Sequence, residues 1–258
     1  TLLNGLQWLA PELVRKLRQH LVSGHCEVVG STYAQNVMYS TSEADNQQQI
    51  KLHRHLLQKL FELSPETFWN PERCWRPELA KLIQEGGYRF TWIEEAILEN
   101  SGIPSSASII ELPCGLKILR DCTAFKEAVN QAIFKNECEL LNRYLDECPY
   151  DVLTYAEDAE AFGLWQYEGQ LDFEQGTHPD LYWKRLEHVL MLLEQRADFQ
   201  ITTVSRLDSQ PVYTIDTIAP GQADWMVKAL KDKKAMYHED GFQDWFDLNR
   251  YIFRGYCV

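Results

Sequence analysis

Glu72 lies in the stretch Phe68-Trp69-Asn70-Pro71-Glu72-Arg73-Cys74-Trp75-Arg76-Pro77-Glu78-Leu79, where two indoles and two guanidinium groups surround its carboxylate. The apolar run Thr67-Phe68-Trp69 reads as a buried strand that ends at a proline-bounded turn. In an α/β fold, chemistry gathers where a strand gives way to a loop. An indole face offers a flat apolar platform to a sugar ring, and a guanidinium holds a nearby carboxylate ionised. Pro77 and Glu78 have a plainer role: proline fits the first helical turn, and an acid there complements the helix dipole.

A second strand end carries acids. Val152-Leu153-Thr154-Tyr155-Ala156 reads as a strand running into Glu157-Asp158-Ala159-Glu160-Ala161-Phe162-Gly163-Leu164-Trp165. Parallel strands present their C-terminal ends on one rim, so Glu72 and Asp158 can meet there. Two carboxyl groups in different surroundings suit glycoside cleavage, one ionised as nucleophile and one protonated to assist the leaving oxygen. Arg73 favours the charged form of Glu72, whereas Glu157 and Glu160 crowd Asp158 with like charge and should raise its pKa. Glu72 is thus expected as nucleophile and Asp158 as general acid and then base, about 5 to 5.5 Å apart if the reaction retains configuration.

The elements that must position these groups alternate. Pro11 to Val22 has Leu13, Val14, Leu17 and Leu21 on one face and Gly24 beyond it, which predicts a helix. Glu27-Val28-Val29-Gly30 reads as a short buried strand, in which an acid needs a partner or a job. Ser40 to Gln49 is polar and loop-like, and Ile50 to Phe61 has helical periodicity. Pro77 to Glu85 is a helix closed by Gly86-Gly87, Tyr88 to Ile93 a strand, and Glu94 to Pro113 a loop with room for a short helix. Leu116 to Leu119 is a brief strand, and Thr123 caps one long helix through Leu145. Leu181 to Glu194 is a further helix and Phe199 to Val204 a further strand. About six strands separated by helices predict a parallel sheet flanked by helices, closed as a barrel.

The 258 residues carry a net charge of −13, leaving no basic surface for a phosphate backbone, so no nucleic-acid partner is expected. No apolar stretch is long enough to span a membrane. Seven cysteines without a Cys-x-x-Cys pair point to reduced thiols in a cytoplasmic protein rather than to disulfides or a zinc ribbon. Cys138 and Cys148 read as small buried residues, and Trp75 and Trp92 as packing. The seven histidines include no pair at i and i+4, so no metal site is expected, and no cofactor.

These segments resemble motif regions of glycoside hydrolase family 57. Gly24-His25-Cys26-Glu27-Val28-Val29-Gly30 looks like its second region, Trp69 to Leu79 like its third, and Glu157 to Trp165 like its fourth. The variant Glu-Arg-x-Trp-x-Pro-Glu-Leu is similar to the 4-α-glucanotransferase and α-amylase branch. The resemblance implies that Glu72 is the nucleophile, that Asp158 is the acid/base, that Glu27 contacts substrate and that Trp165 stacks on a sugar. Beside Glu72, Trp69 is expected at the substrate as a sugar platform and Arg73 as an electrostatic partner, the alternative for both tryptophans being core packing. It implies an incomplete (β/α)7 barrel of parallel strands flanked by helices. The family's first region, a His-x-Pro motif, is absent, and the fifth is not recognisable. The chain is therefore expected to lack the first strand and most of the C-terminal helical region, with residues 1–220 forming the partial catalytic barrel and 221–258 the start of the helical region.

The implied activity is retaining cleavage of α-1,4-glucosidic bonds in an α-glucan oligo- or polysaccharide, with water or another glucan as acceptor. Two alternatives belong to other classes: a metal-dependent polysaccharide deacetylase-like enzyme, and a non-catalytic glucan-binding homologue.

Overall fold

The computed structural model describes residues 2–158, 162 and 179–223. Helices α1 (Leu2–Leu9) and α2 (Pro11–Val22) open the chain, the second with proline at its start and Glu12 in its first turn. Helix α3 (Glu43–Phe61) begins inside the stretch expected as a loop. Ser42 is extended and its hydroxyl accepts the Asp45 N–H at 3.2 Å, while Glu43 and Asp45 complement the dipole. A good cap outweighs the polar composition of this first turn.

Strand β1 (Thr67–Phe68) leads through the Glu72 turn into α4 (Glu78–Glu85). Then come β2 (Phe90–Glu94), α5 (Glu95–Asn100), β3 (Ile109–Glu111) and β4 (Lys117–Asp121). Helices α6 (Thr123–Asn130), α7 (Glu139–Asp146) and α8 (Pro179–Glu194) follow, and β5 (Tyr213–Thr214) ends the described strands. The five strands form one sheet in the order β1-β2-β4-β3-β5. β1 pairs parallel with β2, placing Thr67 opposite Phe90 and Phe68 opposite Thr91. β5 is likewise parallel to β3, whereas β3 and β4 form an antiparallel pair across a turn containing Gly115 at φ +84°.

The α/β class and the parallel-dominated sheet agree with expectation, but several strands do not. Glu27 to Gly30 contributes one parallel bridge, Gly30 to Phe68. Val152 to Ala156 and Phe199 to Val204 join no ladder. β3 lies in the stretch read as loop, and β5 was not anticipated. A β-branched run predicts a surface that suits a sheet, but strand pairing also depends on the register a second segment adopts. The long helix from Thr123 is also broken, by a π-helical turn at Gln131–Lys135 and by Asn136 at φ 61°. Asparagine tolerates the left-handed region, so the stripe of apolar residues continues around a corner.

The chain divides into two compact units. One runs to Leu119 and resumes at Thr203; the other spans Arg120 to Thr202. In the first, Phe68, Ile93, Ile110 and Ile118 of the sheet pack with Ile50, Leu79 and Ile83 of the helices, all at most 1% exposed. Each such side chain contributes about 1.5–3 kcal/mol. The second unit is centred on Phe125, Val129, Ile133, Leu141 and Val189. Cys138 and Cys148, expected to be buried, are half-buried. Among the described residues, no helix is long and apolar enough to cross a membrane.

Candidate active site

The chain leaves β1 under tight hydrogen-bond control. The Trp69 N–H donates to the Gly30 carbonyl at 2.7 Å, and the Trp69 carbonyl accepts the Ser31 hydroxyl at 2.9 Å. Thr91 on the neighbouring strand donates its hydroxyl to the Phe68 carbonyl at 2.9 Å. Beyond the turn, Trp75 exchanges two backbone hydrogen bonds with Gly221, at 2.8 and 2.9 Å, and its indole is fully buried. The expectation that Trp75 is packing is met.

Between these anchors Pro71–Arg73 forms a 3₁₀ turn interrupted by left-handed backbone. Glu72 has φ 58° and ψ 6°, and Arg73 has φ 52°. This conformation costs about 1–2 kcal/mol per non-glycine residue. Two hydrogen bonds oppose that cost: the Arg73 N–H donates to the Asn70 carbonyl, and the buried Asn70 amide donates to the Cys74 carbonyl at 2.7 Å. Backbone strain of this kind collects at functional sites.

The β1/β2 register sets what faces the turn. One step past the Phe68–Thr91 pair, Trp69 comes level with Trp92, and their rings lie 5.9 Å apart. Two steps further along β2 is Glu94. Its carboxylate is 3.1 Å from the Arg73 guanidinium, which also lies 5.7 Å from the centre of the Trp69 ring. Both partners of the ion pair are largely shielded from water, at 15% and 8% side-chain exposure. Buried Cys74 sits within the field of this group. Burial pushes its thiol up to about 11, the Ala223 backbone hydrogen bond opposes the shift, Glu72 and Glu94 add to it, and Arg73 works against them. Trp69, Glu72 and Arg73 are thus together at the C-terminal end of β1, with Glu94 as a fourth member. Sequence reading missed Glu94; the signal was an acid standing directly after an aromatic strand, on the same rim as Glu72.

Glu27 is elsewhere. It stands three residues before Gly30, and Glu72 stands four residues after Gly30's parallel partner Phe68, so the two acids lie at opposite ends of β1. Expected to be buried, Glu27 is exposed, and its carboxylate accepts the Ser205 hydroxyl and, at 3.3 Å, the Ser205 N–H. With Cys26, Glu66, Thr203 and Arg206 it lines a cavity of about 340 Å³ at that end.

In the second unit, Asp158 is exposed and its N–H donates to the Glu157 carboxylate at 3.1 Å. Glu157 is not a bare like charge: Lys126 lies 3.4 Å away and Asn130 donates to it at 3.1 Å. Tyr155 completes this network by donating its hydroxyl to Asn130 at 2.7 Å. The repulsion expected from Glu157 is therefore offset by a cation. Glu160 and Trp165 lie outside the described residues. Among the described residues, no three His, Cys, Asp or Glu side chains converge to hold a metal ion.

Residues 1–208 match the sequence model of Glycosyl hydrolase family 57. The chain belongs to this family. Curated relatives include an alpha-amylase of Pyrococcus horikoshii, 25% identical over 186 residues that cover 66% of this chain and 28% of that protein. The 4-alpha-glucanotransferase of Thermococcus litoralis is 23% identical over 186 residues, covering 66% and 27%. The chain thus spans less than a third of the length of these relatives. The crystal structure of the Thermococcus litoralis 4-alpha-glucanotransferase superposes with a TM-score of 0.68 at 17% identity, over 91% of this chain and 38% of that one. The α/β arrangement described above is therefore the fold of a family 57 enzyme.

Proposed function

We propose that this chain carries the catalytic part of a retaining, α-glucan-active family 57 enzyme that cleaves α-1,4-glucosidic bonds. Residues 1–220 belong to the partial barrel in this reading, and 221–258 begin the helical region. A Glu72 carboxylate oxygen attacks the anomeric carbon while the bond to the leaving oxygen breaks, and Asp158 gives that oxygen its proton. In the second step, water or a glucan hydroxyl returns a proton to Asp158 as its oxygen displaces Glu72. The acceptor decides between hydrolysis and transfer. Trp69 and Trp165 supply sugar platforms, and Arg73 supplies positive charge beside the nucleophile. Glu27, at the far end of β1, is given no part in bond cleavage.

The observation that supports this most is the placement of Glu72: a strand-end carboxylate on a strained turn, beside an aromatic pair and a shielded ion pair, in a family 57 chain. Family membership favours glycoside cleavage over deacetylation. The test uses the full-length protein and a fluorinated α-glucosyl fluoride that forms the glycosyl-enzyme but stalls its breakdown. Mass spectrometry should find the sugar on the peptide containing Glu72, and Glu72→Gln should abolish labelling while retaining glucan binding. A label on another carboxylate, or a first-formed product of inverted configuration, would remove Glu72 from the role.

A further inference from the structure

The backbone that carries Glu72 is unfavourable by itself, and one of the contacts that hold it runs through Arg73 to a residue on the next strand. Consecutive non-glycine residues at φ 58° and 52° persist only where their surroundings over-determine them. Asn70 ties the turn internally. Arg73 ties it to the sheet, because its guanidinium is 3.1 Å from Glu94 Oε1. Glu94 is the last residue of β2, is 6% exposed, and is fixed by the parallel register with β1. It is a stationary acid, unlike a surface carboxylate that follows its partner. Its charge has a second effect: Glu94, Glu72 and Arg73 all act on the one Cys74 thiol, so the Glu94 carboxylate belongs to the same electrostatic group as Glu72 and offsets the Arg73 cation there.

We propose that Glu94 is a positioning residue for Glu72: by anchoring Arg73 it holds the left-handed turn that aims the nucleophile, and it limits how strongly Arg73 stabilises the Glu72 carboxylate. The inference rests on the reading of Glu72 as nucleophile. Without Glu94's charge the turn loosens and Glu72 feels a more positive field, so it titrates at lower pH and attacks more weakly.

The experiment measures turnover of a 4-nitrophenyl α-maltooligoside by the full-length protein, with melting temperature recorded for every variant. Glu94→Gln should lower kcat about 10- to 100-fold, the scale of a small misplacement of a reacting group, with KM changed less than about threefold. The acidic limb of its kcat/KM profile should move to lower pH. The double variant Arg73→Met/Glu94→Gln removes both charges and leaves no unpaired arginine, so it decides the matter if the single variant does not fold. With Arg73→Met measured as the second single variant, the double variant's kcat should fall no further than that of the lowest single variant that folds, as expected of residues acting through one contact. Near-normal kcat in Glu94→Gln or in the folded double variant, multiplicative losses, or a lost kcat with an unmoved acidic limb would each overturn the proposal. Glu72→Gln runs alongside: if it keeps normal turnover, the nucleophile reading has failed, whereas an inactive Glu72→Gln beside an active Glu94→Gln refutes only the role of Glu94.

Discussion

The side-chain amide of Asn70 donates to the backbone carbonyl of Cys74 at 2.7 Å, closing the turn that presents Glu72. Asn70 is 1% exposed, so water cannot replace this donor at low cost. Asn70→Ala should cost about 1–3 kcal/mol, the penalty for leaving a buried acceptor unpaired. Urea unfolding should show a lower midpoint, and turnover should fall with it because the Glu72 turn loses its internal tie. An unchanged midpoint would show that the turn holds without this bond.

His53 predicts a pH dependence of stability. Burial holds its imidazole below the ordinary value of 6.5. Its Nδ1 accepts the Ser31 N–H at 2.8 Å, which only an unprotonated nitrogen can do. The unfolded chain therefore binds a proton that the native state resists. The contribution is fully present above pH 6.5 and is lost as pH falls below it toward the depressed native value. Unfolding midpoints of wild type and His53→Gln should converge or cross between pH 7.5 and 5.5, since glutamine can accept the same N–H without titrating. Parallel pH slopes for the two proteins would count against His53 as the source.

Cys74 should be chemically silent despite standing beside Glu72. Its thiol is 2% exposed and pushed up to about 11, so the reactive thiolate is scarce at neutral pH. Native protein treated with iodoacetamide at pH 8 should be alkylated at half-buried Cys26 and Cys114 long before Cys74. Peptide mapping with early modification at Cys74 would contradict this assignment.

Gly30 leaves room for a neighbouring ring. A Cβ at this position would sit 2.2 Å from the Tyr88 hydroxyl oxygen, and Tyr88 is 1% exposed with its ring 4.9 Å from that of Phe68. Gly30→Ala should therefore destabilise by about 1–3 kcal/mol, as overpacking does in a filled core. The replacement also strains the Gly30–Phe68 bridge that steadies the exit of β1. A thermal melt within one degree of wild type would mean that Tyr88 moves aside freely.

Some of these features are written in local patterns of the sequence. The apolar spacing of Ile50, Leu57, Leu60 and Phe61 marks the buried face of α3, and Thr67-Phe68 followed by a proline turn places Glu72 at a strand end. Both are consequences of neighbours in the chain. The antiparallel pairing of Ile109–Glu111 with Lys117–Asp121 was harder to read, because partner choice is a property of two segments. Val152 to Ala156 shows the converse: its residues suit a strand, yet it is not one of the five strands of the sheet.

By itself the sequence determined which acid would stand at the end of β1, which residues would surround it in the chain, and the family to which the chain belongs. Tertiary structure alone decided that Glu94 reaches Arg73, that Trp69 meets Trp92, and that Glu27 lies at the other end of the strand. Those relationships depend on the register between β1 and β2 and on the direction of the Gly30 bridge. Neither is encoded in local periodicity, because both are settled by how separate segments share hydrogen bonds and buried surface.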